Sequence, residues 1–255
     1  MMSLENTLRQ QREKKDILLM THIVLGYPSL DVNREVVKQM VANGVDCIEM
    51  QIPFSEPMAD GPVILKANQD ALANGTRVKD CFEFAVEMVK TYDIPFLFMT
   101  YYNIIYKYGE EQFFKAASEA GIKGFIIPDL PPEMAESYLA LAKKYDVAPI
   151  WIYAPTSTEA RMKELASTGS GFIYCAARRG VTGKKSELGD DFEQYLEQCR
   201  KSTTLPLAVG FGIQNKDDVT ALIGKADMAV IGSQTIKLVD KEGPEAVGPF
   251  ISGLR

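Results

Sequence analysis

Chemistry in this chain starts at Glu49, a carboxylate set in the largely apolar run Asp46–Ile52. Burying such a group unpaired is costly or drives its pKa upward, the tuning that general acid–base work requires. A glutamate satisfied by backbone or by a lysine fits the same spacing. Asp60 follows in the proline-rich stretch Pro53-Phe54-Ser55-Glu56-Pro57-Met58-Ala59-Asp60-Gly61-Pro62, as a second acid or as an ordinary turn former. Farther on, Gly210-Phe211-Gly212-Ile213 and Gly232-Ser233 each follow an apolar run, and the second opens a short helical turn, Gln234–Leu238. Paired glycines beside a helix N-terminus suit a phosphate, whose oxygens take backbone N–H groups, although either piece alone is also tight-turn chemistry. Arg178-Arg179-Gly180-Val181-Thr182-Gly183 suits an anion, a closing loop or a plain solvated one. His22, the single histidine, lies in an apolar run on the parity of Met20 and Val24, where a satisfied core residue is the ordinary reading. Tyr174 has a hydroxyl to satisfy and is a candidate pocket wall, whereas Trp151 and Tyr153 share one face and read as packing.

These residues need a frame. Eight short runs rich in Ile, Val, Phe or Tyr recur along the chain: 17–25, 46–52, 95–100, 124–128, 149–153, 171–176, 205–210 and 228–232. Amphipathic helical patterns lie between them, at 32–43, 78–91, 110–120, 133–145, 157–167 and 190–201. Asp31 and Ser157 read as N-caps, and Gly44 and Gly121 as C-terminal stops. Continuous rather than alternating apolar strands, eight of them each followed by a helix, predict a closed (β/α)8 TIM barrel. An open doubly wound sheet is the alternative, weakened by the lack of Gly-x-Gly-x-x-Gly after the first strand. No linker or composition shift divides the chain, so one domain spanning 1–255 is expected, with an extra helix near 4–14 closing the barrel bottom. In a barrel the active site lies on the loops after the strands, which is where the candidates above fall.

Composition narrows the function. Of 255 residues, 46% are hydrophobic and 24% charged, which suits a globular chain with a sizeable core. The net charge of −6 suggests no basic face for nucleic acid. Four cysteines, Cys47, Cys81, Cys175 and Cys199, stand far apart without a CxxC pair, and one histidine leaves almost no material for a zinc site, so no metal is expected. Such thiols read as reduced, in a cytoplasmic protein. The longest uncharged stretch, 17–30, is too short to span a bilayer and contains Gly-Tyr-Pro, so no membrane association is expected either.

Taken together, the motifs resemble the tryptophan synthase alpha subunit, an indole-3-glycerol-phosphate lyase family, over nearly the whole chain. The similarity is carried by Ile52-Pro53-Phe54-Ser55-x-Pro57-x-Ala59-Asp60-Gly61-Pro62 after Glu49, and by Tyr101-Tyr102-Asn103 and Ile127-Pro128-Asp129-Leu130-Pro131. Ala154-Pro155-Thr156-Ser157-Thr158, Gly180-Val181-Thr182-Gly183 and Gly210-Phe211-Gly212 extend it in the same order. The resemblance implies a lyase of tryptophan biosynthesis that splits indole-3-glycerol phosphate into indole and glyceraldehyde 3-phosphate by retro-aldol chemistry. Glu49 is then the proton-transferring residue and Asp60 holds the indole N–H. His22, Tyr101, Ile127, Tyr174 and Phe211 surround the indole. Gly183, Gly212, Ile213, Gly232 and Ser233 carry the phosphate, and Thr182 meets Asp60 as its loop closes. The loop bearing Pro53 and Glu56 is implied to face a beta subunit in an alpha2beta2 assembly. That beta subunit holds pyridoxal phosphate; this chain needs no cofactor. Departures from the family pattern are His22 where a Phe is usual, Gln51 for a Gly, Glu56 for an Asp, and Tyr27 for an acidic residue. They leave room for a paralogue with a related phosphorylated substrate, or for a weakened subunit that mainly activates its partner.

Overall fold

A computed structural model describes residues 2–176 and 190–255. Its nine strands all pair in parallel: β1 (Leu18–Val24), β2 (Cys47–Gln51), β3 (Phe96–Met99), β4 (Gly124–Ile126), β5 (Ala148–Ile150), β6 (Ile152–Tyr153), β7 (Ile173–Ala176), β8 (Leu207–Gly210) and β9 (Met228–Ile231). The hydrogen-bonded order β5-β4-β3-β2-β1-β9-β8-β7-β6 ends on two strands separated in sequence by Trp151 alone. The sheet therefore returns on itself as a TIM barrel, and β5 and β6 are the two halves of the one strand expected at 149–153. The strand interrupts at Trp151, whose indole N–H donates to Thr168 Oγ1 at 3.0 Å while its carbonyl accepts from Tyr174 N–H.

Strand alternation sorts the residues into two layers. Inward positions form one cluster that includes Leu18, Met20, Leu97, Ile150, Phe172 and Met228. Outward positions such as Leu19, Ile48, Phe96, Phe98 and Phe125 pack against the helices in a larger one. Burial on both faces is why the strands read as continuous apolar runs. Leu4 and Leu8 of the helix Leu4–Arg12 join the inner cluster and plug the strands' N-terminal end. Toward the other end the inward file turns polar. Two residues beyond Met20 comes His22, two beyond Cys47 come Glu49 and then Gln51, and two beyond Phe172 comes Tyr174.

Two caps differ from expectation. Ser29, not Asp31, caps the helix Leu30–Ala42 by accepting from Val32 N–H, and Asp31 pairs instead with Arg34 at 2.6 Å. Thr158, not Ser157, caps Glu159–Thr168; Ser157 Oγ accepts from Ala154 N–H and so shapes the preceding turn. In both cases the hydroxyl that reaches the N3 amide wins, and that depends on a chain direction short-range pattern does not encode. Gly121 ends its helix in the left-handed region, φ 83°. The helical turn expected at 234–238 runs Ser233–Glu242, and Pro62–Ala73 is a helix that periodicity did not reveal.

Candidate active site

β1 and β2 are neighbours whose register sets His22 opposite Glu49. Both residues are 4% exposed, and His22 Nδ1 lies 3.1 Å from Glu49 Oε1. The second oxygen of Glu49, Oε2, is buried without a partner. Two residues on, Gln51 Nε2 donates to Asp60 Oδ2 at 2.7 Å, and the Tyr101 hydroxyl donates to the same oxygen at 3.1 Å. The loop that brings Asp60 back to the barrel mouth is tied down at three places. Ala59 N–H donates to the Tyr101 hydroxyl at 3.0 Å, Phe54 stacks on the Tyr101 ring at 5.0 Å, and Phe54 N–H donates to Asn68 Oδ1 at 2.9 Å.

The electrostatics follow from these contacts. Burial alone lowers the pKa of His22, but facing Glu49, with Asp60 and the Gln51 amide adding to it, carries the imidazole above its ordinary 6.5. Burial also raises Asp60, more than the opposing pull of Gln51, His22 and Tyr101 lowers it. The Tyr174 phenol is raised, by burial first and then by the charges of Glu49 and Asp60. The mouth is thus a largely desolvated site in which the imidazole contacts one carboxylate and feels the charge of the other.

The remaining candidates divide. Tyr101 is buried and Tyr174 half-buried, and the space for the Tyr174 hydroxyl exists because residue 210 is glycine: a Cβ there would lie 2.7 Å from it. Ile127 and Phe211 are buried in the layer between strands and helices, where Phe211 packs on Phe192 at 5.3 Å, and not in the inner cluster with Tyr101 and Tyr174. Gly212 holds φ 86° and, like Gly232, faces open space where a side chain would stand. Ile213 is buried, and Ser233 is half-buried in the first turn of Ser233–Glu242, whose N-cap Gly232 offers no side chain. Because β8 pairs with β9, the Gly212 and Ser233 turns emerge from adjacent strands. Thr182 and Gly183 lie outside the described residues. In the β2 loop Pro53 is buried, whereas Ser55, Glu56, Met58 and Ala59 are exposed, Met58 at 91%. Among the described residues no group of three His, Cys, Asp or Glu side chains is placed to hold a metal, and no helix is long and apolar enough to cross a membrane.

Sequence reasoning missed Asn68 and the structural part of Gln51. Asn68 is wholly buried on the Pro62–Ala73 helix; it accepts from Phe54 N–H and anchors itself by donating to Ile64 C=O at 2.8 Å. An asparagine among Ala67 and Ala71 on a helical face was the available signal.

A profile of the family described as tryptophan synthase alpha chain matches residues 8–248. The chain belongs to the tryptophan synthase alpha chain family. It is 71% identical to the tryptophan synthase alpha chain of Desulfotalea psychrophila over 254 residues, covering 100% of both chains. Against that of Syntrophotalea carbinolica it is 58% identical, covering 99% of this chain and 100% of the relative. Among solved structures, a chain of Mycobacterium tuberculosis tryptophan synthase superposes with TM-score 0.90 at 28% identity, covering 98% of this chain and 96% of that one. A chain of the tryptophan synthase complex of Pyrococcus furiosus gives TM-score 0.85 at 26% identity, with 93% and 97% covered. Relatives that span this chain end to end are alpha chains, which does not favour a paralogue with another substrate.

Proposed function

We propose that the chain cleaves indole-3-glycerol phosphate to indole and glyceraldehyde 3-phosphate as the alpha subunit of tryptophan synthase, with Glu49 and Asp60 as its catalytic pair. The observation that carries the assignment of residues is the buried Glu49, held through one oxygen by His22 while Oε2 stays without a partner at the barrel mouth.

The reaction makes three demands. Indole C3 must gain a proton so that the ring can accept the electrons of the breaking C–C bond. The side-chain hydroxyl must lose its proton as the aldehyde forms, and positive charge on the ring nitrogen must be stabilised. Glu49 Oε2 is the atom that transfers protons. Asp60, oriented by Gln51 and Tyr101, takes the ring N–H and meets the charge that develops there. His22, Tyr101, Ile127, Tyr174 and Phe211 form the indole surroundings, with Ile127 and Phe211 acting from the outer layer. The phosphate rests on backbone N–H groups of Gly212, Ile213, Gly232 and Ser233, joined by Gly183, where helix N-terminal amides favour an anion. Thr182 closes over Asp60 and excludes water. Side chains that move protons are sufficient for this chemistry, so no cofactor of this chain enters the scheme. A cytoplasmic alpha2beta2 assembly is the proposed setting, with the Glu56 and Met58 loop against the beta subunit and pyridoxal phosphate held by that partner.

The test is indole released from indole-3-glycerol phosphate, with and without the beta subunit. Release that rises with the partner and is lost in Glu49→Gln supports the reading. Release unchanged in Glu49→Gln removes Glu49 from its role. No release, together with a serine-dependent partner activity that still rises, would make the chain an activator instead.

A further inference from the structure

We propose that His22 and Gln51 are positioning residues that join the two carboxylates of the site, Glu49 and Asp60, into one hydrogen-bonded unit. The roles of the two acids rest on the lyase reading above; the geometry of the unit does not.

The chain of contacts runs across two strands and a loop. His22 stands opposite Glu49 by strand register, so their 3.1 Å contact is set by the backbone and not by a wandering side chain. Gln51 lies two residues along the same inward file, with its backbone opposite Val24, and its Nε2 holds Asp60 at 2.7 Å. Between them, His22 Nε2 and Gln51 Oε1 are both buried and both lack a partner in hydrogen-bonding geometry. The amide nonetheless favours the protonated ring. In the unit proposed here the protonated ring donates from His22 Nε2 to Gln51 Oε1, while Gln51 Nε2 keeps its hold on Asp60. A neutral imidazole has one N–H and serves one neighbour, whereas a protonated one has two and serves both. The protonated ring also stands where the buried Glu49 and the half-buried Asp60 would otherwise meet only each other's charge.

The charged and titratable groups that face the ring are few. Glu49 comes from β2 and Asp60 from the loop after it. Tyr174 from β7 and Tyr101 from the turn after β3 stand beyond those carboxylates and interact with them. From the helix Ser233–Glu242, Thr235 donates its hydroxyl to the His22 carbonyl at 3.2 Å, and Tyr27 shares a small cavity with the ring while its own hydroxyl donates to Asp240. Nothing among these described neighbours is a competing cation.

Because the chain has one histidine, its ring signals can be followed by NMR across pH in the intact protein without assignment. The expected midpoint lies above the ordinary 6.5. Glu49→Gln moves it below that value, Gln51→Met moves it down by less, and Asp60→Asn moves it although Asp60 does not touch the ring. In indole release, His22→Asn keeps a donor without a titrating group. Its rate falls less than about tenfold, against roughly 100-fold for His22→Phe, and its pH profile lacks the alkaline limb at which His22 loses its proton. A ring that titrates at or below 6.5 in the parent, or whose midpoint ignores both Gln51→Met and Asp60→Asn, overturns the proposal. If the parent releases no indole the lyase reading falls, and the ring titration still decides this one.

Discussion

Replacing Asp60 by Asn separates catalysis from stability, with opposite signs. The side chains are nearly the same size, and Asn can still accept from Gln51 Nε2 or Tyr101 OH at the site where Oδ2 now takes both, at 2.7 and 3.1 Å. What disappears is the charge. In the folded protein burial raises the Asp60 pKa more than Gln51, His22 and Tyr101 lower it. The ionised form is therefore penalised by folding once the pH exceeds the raised folded value. Below the unfolded value both states are protonated and no penalty exists. Asp60→Asn should thus be more stable than the parent at neutral pH, by an amount on the order of 1 kcal/mol, the usual size for one buried polar group. For a chain of this size that raises Tm by about 2–4 °C. The gain should fade as the pH drops through the folded value of Asp60 toward its ordinary 3.8. Turnover moves the other way. A lost stabiliser of developing charge costs about 2.7–4 kcal/mol, or roughly 100- to 1,000-fold in kcat. Because the ring nitrogen carries that charge only as the bond breaks, kcat and kcat/KM should fall together with little change in KM. Thermal melts at several pH values, paired with steady-state indole release, read both effects. A variant that melts well below the parent at neutral pH, or that keeps its kcat, refutes the reasoning.

Three further outcomes are expected. Gly210→Ala puts a Cβ 2.7 Å from the Tyr174 hydroxyl; relieving that overlap costs about 1–3 kcal/mol, and the displaced ring should raise KM for the indole substrate while a phosphate-only ligand binds unchanged, as calorimetry would show. Asn68→Ala removes the acceptor of Phe54 N–H, so stability should fall by about 2 kcal/mol in denaturant melts and kcat/KM should drop with it as Asp60 loses its support. Ser233→Asp sets a negative charge in the first turn of Ser233–Glu242; KM should rise about tenfold or more with the melting temperature unaltered, and an unchanged KM would move the phosphate elsewhere.

How far residue order reaches into this protein is clearest at Glu49. A carboxylate in a strand-length apolar run is visible without coordinates, because burial on both faces erases alternation and makes any polar residue conspicuous. The same logic located all eight strand-length runs, and helix-stop chemistry located Gly44 and Gly121, both at positive φ. Strand interruption at Trp151 was not legible, since two short pieces and one continuous strand carry the same apolar signal. Helix starts were misjudged by one or two residues at Ser29 and Thr158, where side-chain reach decides between neighbouring candidates. His22 read as an ordinary core residue by its own neighbours in sequence. Only the pairing of β1 with β2 sets it against Glu49, and only the return of the following loop brings Asp60 to Gln51. Local pattern determines which residues are buried, because solvent transfer depends on each side chain's own chemistry. Which buried groups meet is decided by register and loop closure, which depend on the whole barrel at once.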